Sequence, residues 1–225
     1  MARKRRRDTR ARILQTAGKA FLDKGYVGTL TDDIAACSEV SKGTLYIYFH
    51  SKKEMFETFM EEEIRSRAAF SFEPPKETSN VEEFLLNFGR KYLQKLVNPR
   101  VTGILRVVVA EAVRFPNIGL IYRDQCERPL IGALAEYFER CVDDGRLQIS
   151  DTQRAAEQFM VLCQADIMHD LLLGVRGTPV NEEIEAVVSS AVAIFLAAYS
   201  GKGMDGRSQI GQRQPQVKTE GEAGA

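Results

Sequence analysis

Histidine is scarce in this chain, with 2 among 225 residues, His50 and His169. Lying about 120 positions apart, they give no sign of a nucleophile–base pair. Cysteine is sparse too. Cys37, Cys126, Cys141 and Cys163 form no CxxC pair and have no metal-like spacing with the histidines. They read as reduced thiols, with a redox sensor as the minor alternative. There is no Gly-rich phosphate loop, so an enzymatic reading has no parts and no cofactor or metal is expected. The longest apolar run, AVVSSAVAIFLAA, is rich in Ala and Ser. At about 13 residues it is too short to span a bilayer. The chain starts on a basic cluster, RKRRR, with no apolar run behind it. That is unlike a signal peptide, and a cytoplasmic location is expected. Net charge is also absent, but unevenly so. Residues 1–50 carry 10 Lys and Arg against 5 acids, +5, and the remainder carries 21 against 26, −5. A basic end on an acidic body points to a polyanion partner.

What is present is helical periodicity. No strand alternation persists, and the reading is all-α with about nine helices. The first is expected from near Asp8, with Ile13, Leu14, Ala17 and Phe21 on one face and Gly25 as its stop. Residues 1–7 are left as a basic arm. Short helices follow over about 31–38 and 42–48, and a long one over about 51–70. The prolines of EPPKETSN mark a linker. Asn80 caps the next helix, and Pro99 opens another. A helix over about 117–144 is expected to kink at Pro129 and stop at Gly145. Ser150 with Gln153 reads as a capping box for a helix of about 151–174, and the last covers about 182–199. From 201 to 225 the Gly, Gln, Pro and Glu content predicts a disordered tail. The expected division is an N-terminal unit of short helices over 8–55 and a helical body over 56–200, with the 51–70 helix shared as a connector.

The stretch SKGTLYIYFHSKKEMF, 41–56, mixes three aromatics with flanking lysines. Two short helices behind a first amphipathic one fit a helix-turn-helix, whose second short helix enters the DNA major groove. That helix starts with Ser41, Lys42, Gly43 and Thr44. Lys42 suits guanine O6 and N7, Gly43 lets backbone approach closely, and Thr44 suits a phosphate. Leu45 and Phe49 would face inward. Tyr46 and Tyr48 would point outward to phosphates. Ser51 and Glu54 form a capping box for the next helix. Lys52 and Lys53 in its first turn oppose the helix dipole, and with the free amides they would make a phosphate site. Thr31 and His50 complete the expected DNA-facing set.

GYVGTLTDDIAACSEVSKGTLYIYFHSKKEMF, 25–56, resembles the DNA-binding signature of the tetracycline-repressor-like (TetR) family of bacterial regulators. Gly25, Tyr26, Thr29, Ile34 and Ala35 meet one part of the family pattern. Val40 through Phe49, with Ser51 and Lys52, meet the other. Glu39 departs from it, standing where the family usually has Gly. A glutamate there must adopt a left-handed conformation at a cost of about 1 kcal/mol, or the turn differs. AEAVRFPNIGLIYRDQCERPLIGALAEYF, 110–138, resembles more loosely the AefR-like C-terminal domain.

The resemblance implies a helical ligand-binding and dimerisation domain from about residue 75. The last two helices, about 151–174 and 182–199, are rich in Ala and branched aliphatics and could pair with a second copy as a four-helix bundle. Tyr92, Arg106, Glu111, Tyr122, Gln164 and His169 are polar groups on otherwise apolar helices, and they are the candidates for a pocket holding a largely apolar small molecule. The expected function is a ligand-responsive repressor, binding a pseudo-palindromic double-stranded DNA operator as a homodimer, with no membrane partner. The alternative is a constitutive architectural DNA-binding protein without a sensor.

Overall fold

The computed structural model describes residues 2–67 and 80–200. The described residues form helices and no strand: α1 (Ala2–Gly28), α2 (Thr31–Cys37), α3 (Lys42–Tyr48), α4 (Lys52–Arg67), α5 (Val81–Leu96), α6 (Pro99–Glu111), α7 (Pro116–Tyr122), a π turn (Arg123–Glu127), α8 (Arg128–Asp143), α9 (Thr152–Leu162), α10 (Ile167–Leu173) and α11 (Asn181–Tyr199). The expected linker up to residue 79 and the expected tail from 201 lie outside the described residues.

Three expectations are corrected. First, the basic arm is not separate from α1, because the helix already runs at Ala2. Lys and Arg are good helix formers, and nothing between Ala2 and Asp8 breaks the repeat. The regular helix does break at Gly25, whose φ of 70° and ψ of 175° kink the chain before the last residues of α1.

Second, the single helix expected over 117–144 is three pieces. Pro129 lacks an N–H and its ring crowds the carbonyl four residues back. The chain widens there, and the Arg128 amide reaches back five residues to the Arg123 carbonyl. Third, the helix expected over 151–174 begins one residue late and breaks. Asp151, not Ser150, is the cap, its carboxylate accepting from the Arg154 amide at 2.9 Å. After Leu162 the chain turns, and the Ile167 amide donates to the Ala165 carbonyl at 2.6 Å. Asp166 lies between them at φ 61°. This is a γ-turn of the rare, strained kind.

Two apolar clusters result. One joins α5, α8, α9, α10 and α11. The other joins α1–α4 to Ile104, Val107 and Val108 of α6 and to Phe115 and Ile118 at the start of α7. The N-terminal helices therefore share a core with the body. Close packing of α1 on α4 depends on Gly18, where an added Cβ would sit 2.0 Å from the Phe59 ring.

Candidate nucleic-acid interface

The turn between α2 and α3 is built as its sequence requires. Glu39 takes φ 51°, the left-handed conformation demanded of a position where Gly is easier. The Val40 amide then closes on the Ala35 carbonyl at 3.1 Å. Ser41 caps α3, its hydroxyl accepting from the Thr44 amide at 3.0 Å. The Ser41 and Thr44 hydroxyls are 2.8 Å apart. Leu45 and Phe49 are fully buried in the apolar cluster that α3 shares with α1, α2 and α4.

The outward face of α3 carries Lys42, Gly43, Tyr46 and Ile47. Ile47, 65% exposed, is absent from the sequence-derived set. Its signal was legible: two positions from Leu45 on a helix is close to the opposite face. An exposed branched aliphatic on such a helix suits a thymine methyl. Tyr48 is half-buried and lies under the Arg6 guanidinium, 6.0 Å from the ring centre. Arg10 likewise covers the Phe49 ring at 4.9 Å. The helical extension of α1 thus runs beside α3, and a broad open cleft of about 1290 Å³ lies between them, lined by Arg5, Arg6, Arg12, Glu39, Ser41 and Tyr48 among others.

The α4 end differs from expectation in one respect. Glu54 and Ser51 do fix the start of α4. The Glu54 amide donates to the Ser51 hydroxyl at 3.1 Å, and the Glu54 carboxylate accepts from the His50 amide at 2.7 Å. Lys53 is exposed and 3.9 Å from Glu57. Lys52, however, turns inward. Its ammonium donates to the Tyr26 and Thr29 carbonyls, both at 2.9 Å, and lies 4.5 Å from the Tyr26 ring centre. A cation satisfied by two carbonyls and an aromatic face ties the end of α1 to α4 and is not aimed at a phosphate. Thr31 is half-buried at the start of α2, and the His50 side chain is exposed beside the interface.

The six pocket candidates scatter. Tyr92 and Tyr122 line one cavity with Ile64, Leu96, Ile104 and Glu127. Gln164 reaches it through a 2.7 Å hydrogen bond to the Tyr92 hydroxyl. Arg106 instead donates to the Leu171 carbonyl, Glu111 sits at the end of α6 on the side of Tyr26, and His169 is exposed on α10. The cavity leaves about 30 Å³ free, room for one or two waters. Burial pushes the Tyr92 and Tyr122 hydroxyls far above their ordinary range. It also raises the Glu127 carboxyl, against the opposing pull of Arg123.

Two family models divide the chain along these lines. Residues 13–59 match the bacterial regulatory proteins of the tetR family, and residues 83–201 match the AefR-like transcriptional repressor C-terminal domain. The chain belongs to the TetR family. It is similar to the uncharacterized HTH-type transcriptional regulator YvkB of Bacillus subtilis, at 23% identity over 86% of this chain and 98% of that one. Over 46 residues, 20% of this chain and 25% of the relative, it is 44% identical to IcaR, the negative transcriptional regulator of the biofilm operon icaADBC in Staphylococcus aureus. Among solved structures it resembles the flavonoid-responsive regulator FrrA, with a TM-score of 0.66 and 27% identity over 87% of this chain and 99% of that one. This TetR-family chain is accordingly a DNA-binding transcriptional regulator, and the α2–α3 helix-turn-helix lies within residues 13–59 matched by the family's N-terminal model. No helix among the described residues is long and apolar enough to cross a membrane.

Proposed function

We propose that this protein is a repressor that binds a pseudo-palindromic operator as a homodimer and leaves it when a small, largely apolar molecule enters the body. The observation that carries the reading is the placement of α4. Three residues separate it from α3, and its start is fixed by the Ser51–Glu54 cap and by the His50 amide donating to Glu54. Its last turns supply Ile64 to the wall of the Tyr92–Tyr122 cavity, and the Cys126 thiol contacts the Ile64 carbonyl at 3.9 Å. A ligand larger than about 30 Å³ must push this wall outward, and α4 transmits the push to α3. In this reading Lys42, Gly43, Tyr46 and Ile47 meet base edges or nearby phosphates, Thr44, Tyr48 and Lys53 meet phosphates, and the α1 extension adds affinity without sequence choice.

The lining suits a largely apolar molecule with one or two hydroxyl groups. Its walls are Ile64, Leu96, Val101 and Ile104, and its polar groups are the Tyr122 hydroxyl, Glu127 and Lys95. The likeness to a flavonoid-responsive regulator makes planar polyphenols the first probes. Fluorescence anisotropy of a labelled operator tests the reading. Titration with polyphenols is expected to release the DNA, and Val101→Leu, which takes up much of the free space in the cavity without exceeding it, to weaken release while sparing DNA binding. Undiminished release from that variant would contradict it.

A second copy is expected on the outer face of α9 and α11. An open apolar groove of about 510 Å³ lies there, lined by Val161, Leu162, Ile194 and Ala198 among others. Val161 and Ile194 are 66% and 53% exposed, which is unusual for large aliphatics standing side by side.

A further inference from the structure

Several cations around α2 and α3 stand beside the chain's own acids. Arg12 lies 4.0 Å from Glu39, Lys24 is 3.4 Å from Asp33, and Lys53 is 3.9 Å from Glu57. The shortest pair joins the two helices of the motif itself: Lys42 at the start of α3 and Asp32 in the first turn of α2 approach to 2.6 Å, with both side chains more than half exposed. Lys4, Arg5, Arg6 and Arg7, by contrast, are exposed on the α1 extension, with no acidic partner among the described residues. Attraction for the phosphate backbone is thus concentrated on α1, and the face that meets the bases is electrically balanced.

We infer that Asp32 is a specificity-determining residue, which together with Lys42 reads one G·C base pair in the major groove. The inference rests on the DNA-binding reading above. A G·C edge presents acceptors at guanine N7 and O6 and, beside them, a donor at cytosine N4. An ammonium and a carboxylate held side by side match that row. Lys42 donates to the guanine, and the Asp32 carboxylate accepts from the cytosine amino group. An A·T edge is the weaker match: adenine N7 and its N6 amino group could meet the ammonium and the carboxylate, but the ammonium then faces one acceptor where guanine offers N7 and O6 together. A phosphate is also a poor alternative for Lys42. Leaving Asp32 for a phosphate would strand a carboxylate next to a polyanion. The pair therefore discriminates twice, for one base pair and against non-specific contact.

The test is sequence selection from a random duplex pool with the full-length protein, its Asp32→Ala and Asp32→Asn variants and Lys42→Ala, followed by titration of each on the selected operator and on random DNA. Thermal unfolding of each variant accompanies it, and the asparagine variant retains the shape at the head of α2. The wild-type chain is expected to select a motif with a G·C pair favoured about ten-fold at one position of each half-site. Asp32→Ala, Asp32→Asn and Lys42→Ala should all relax that same position to under about three-fold. Both Asp32 variants should bind random DNA several-fold more tightly, since a negative charge has left the interface. An unchanged motif in the Asp32 variants, or relaxation at a position different from that of Lys42→Ala, overturns the inference. If the wild-type chain selects no motif at all, the DNA-binding reading fails instead.

Discussion

The ring of Tyr26 meets the ring of Phe115 edge-on, with centroids 4.7 Å apart. Tyr26 follows the Gly25 turn at the end of α1, and Phe115 lies just before α7. The same tyrosine receives the Lys52 ammonium at 4.5 Å and the Phe56 ring at 5.1 Å. One aromatic side chain thus touches the first residue of α4 and the body at once. Removing the buried Phe115 ring by Phe115→Ala is expected to cost about 3–5 kcal/mol. The loss should reach the DNA-binding helices, because the core is shared. Hydrogen exchange checks this: amides of α1 and α4 should lose protection together with those of α6 and α7. Unchanged protection in α1 and α4 would show that the ring contact does not couple the two regions.

The two neighbouring lysines should behave differently. Lys53→Ala is expected to leave stability unchanged and to reduce the salt slope of DNA binding by about one. Lys52→Ala leaves the Tyr26 and Thr29 carbonyls without their donor, and should destabilise the fold by about 1–3 kcal/mol. Urea unfolding and salt titration of both variants separate the roles. Equal stability with equal slopes would place Lys52 back at the phosphate.

Much of the helix-turn-helix was legible because its signals are local. Ser41 and Ser51 cap where their side chains dictate, and α3 begins and ends where it was expected. Glu39 adopts the left-handed turn although its residue type resists it, with the Ser38 and Val40 amides closing on the Ile34 and Ala35 carbonyls on either side. What the sequence left hidden depends on long-range partners. Lys52 finds acceptors 26 and 23 positions away. The break at Asp166 has no Gly or Pro to announce it. The dispersal of Arg106, Glu111 and His169 away from the cavity depends on how α6 and α10 are rotated, which an apolar repeat fixes only coarsely.

Helix caps predict an acid limb of stability. The amide of Arg154, and then its side chain, hold the Asp151 carboxyl below its ordinary range. The Val180 amide, and then Arg176, do the same for Glu183. Both folded-state values lie below the unfolded ones, so the contribution is complete above about pH 4–4.5 and fades as pH falls through the folded values. Asp151→Asn retains an acceptor for the cap and cannot titrate there. Its melting temperature should therefore fall less steeply than the wild type's below pH 4. Parallel curves would show that this cap is not formed in solution.

The two small-residue helices offer a sharp contrast in one experiment. Ile194 is exposed on the groove of α9 and α11, whereas Ala191 is 2% exposed within the chain's own core. Ile194→Glu is expected to yield a folded monomer, since a desolvated charge at an interface costs several kcal/mol. Ala191→Glu should unfold the body itself. Sedimentation with circular dichroism checks both. A dimeric, helical Ile194→Glu protein at micromolar concentration would move the interface elsewhere.

The central claim is that a homodimer of this chain presents two copies of α3 to one operator. Selection of duplexes from a random pool by the full-length protein, followed by footprinting of the enriched sequence, measures this directly. The account predicts a motif with two-fold symmetry, its half-sites separated by one helical turn, about 10 base pairs, or a multiple of it. Protection should cover both halves at the same protein concentration. Enrichment of a single asymmetric half-site, or no enrichment above random DNA, would contradict it.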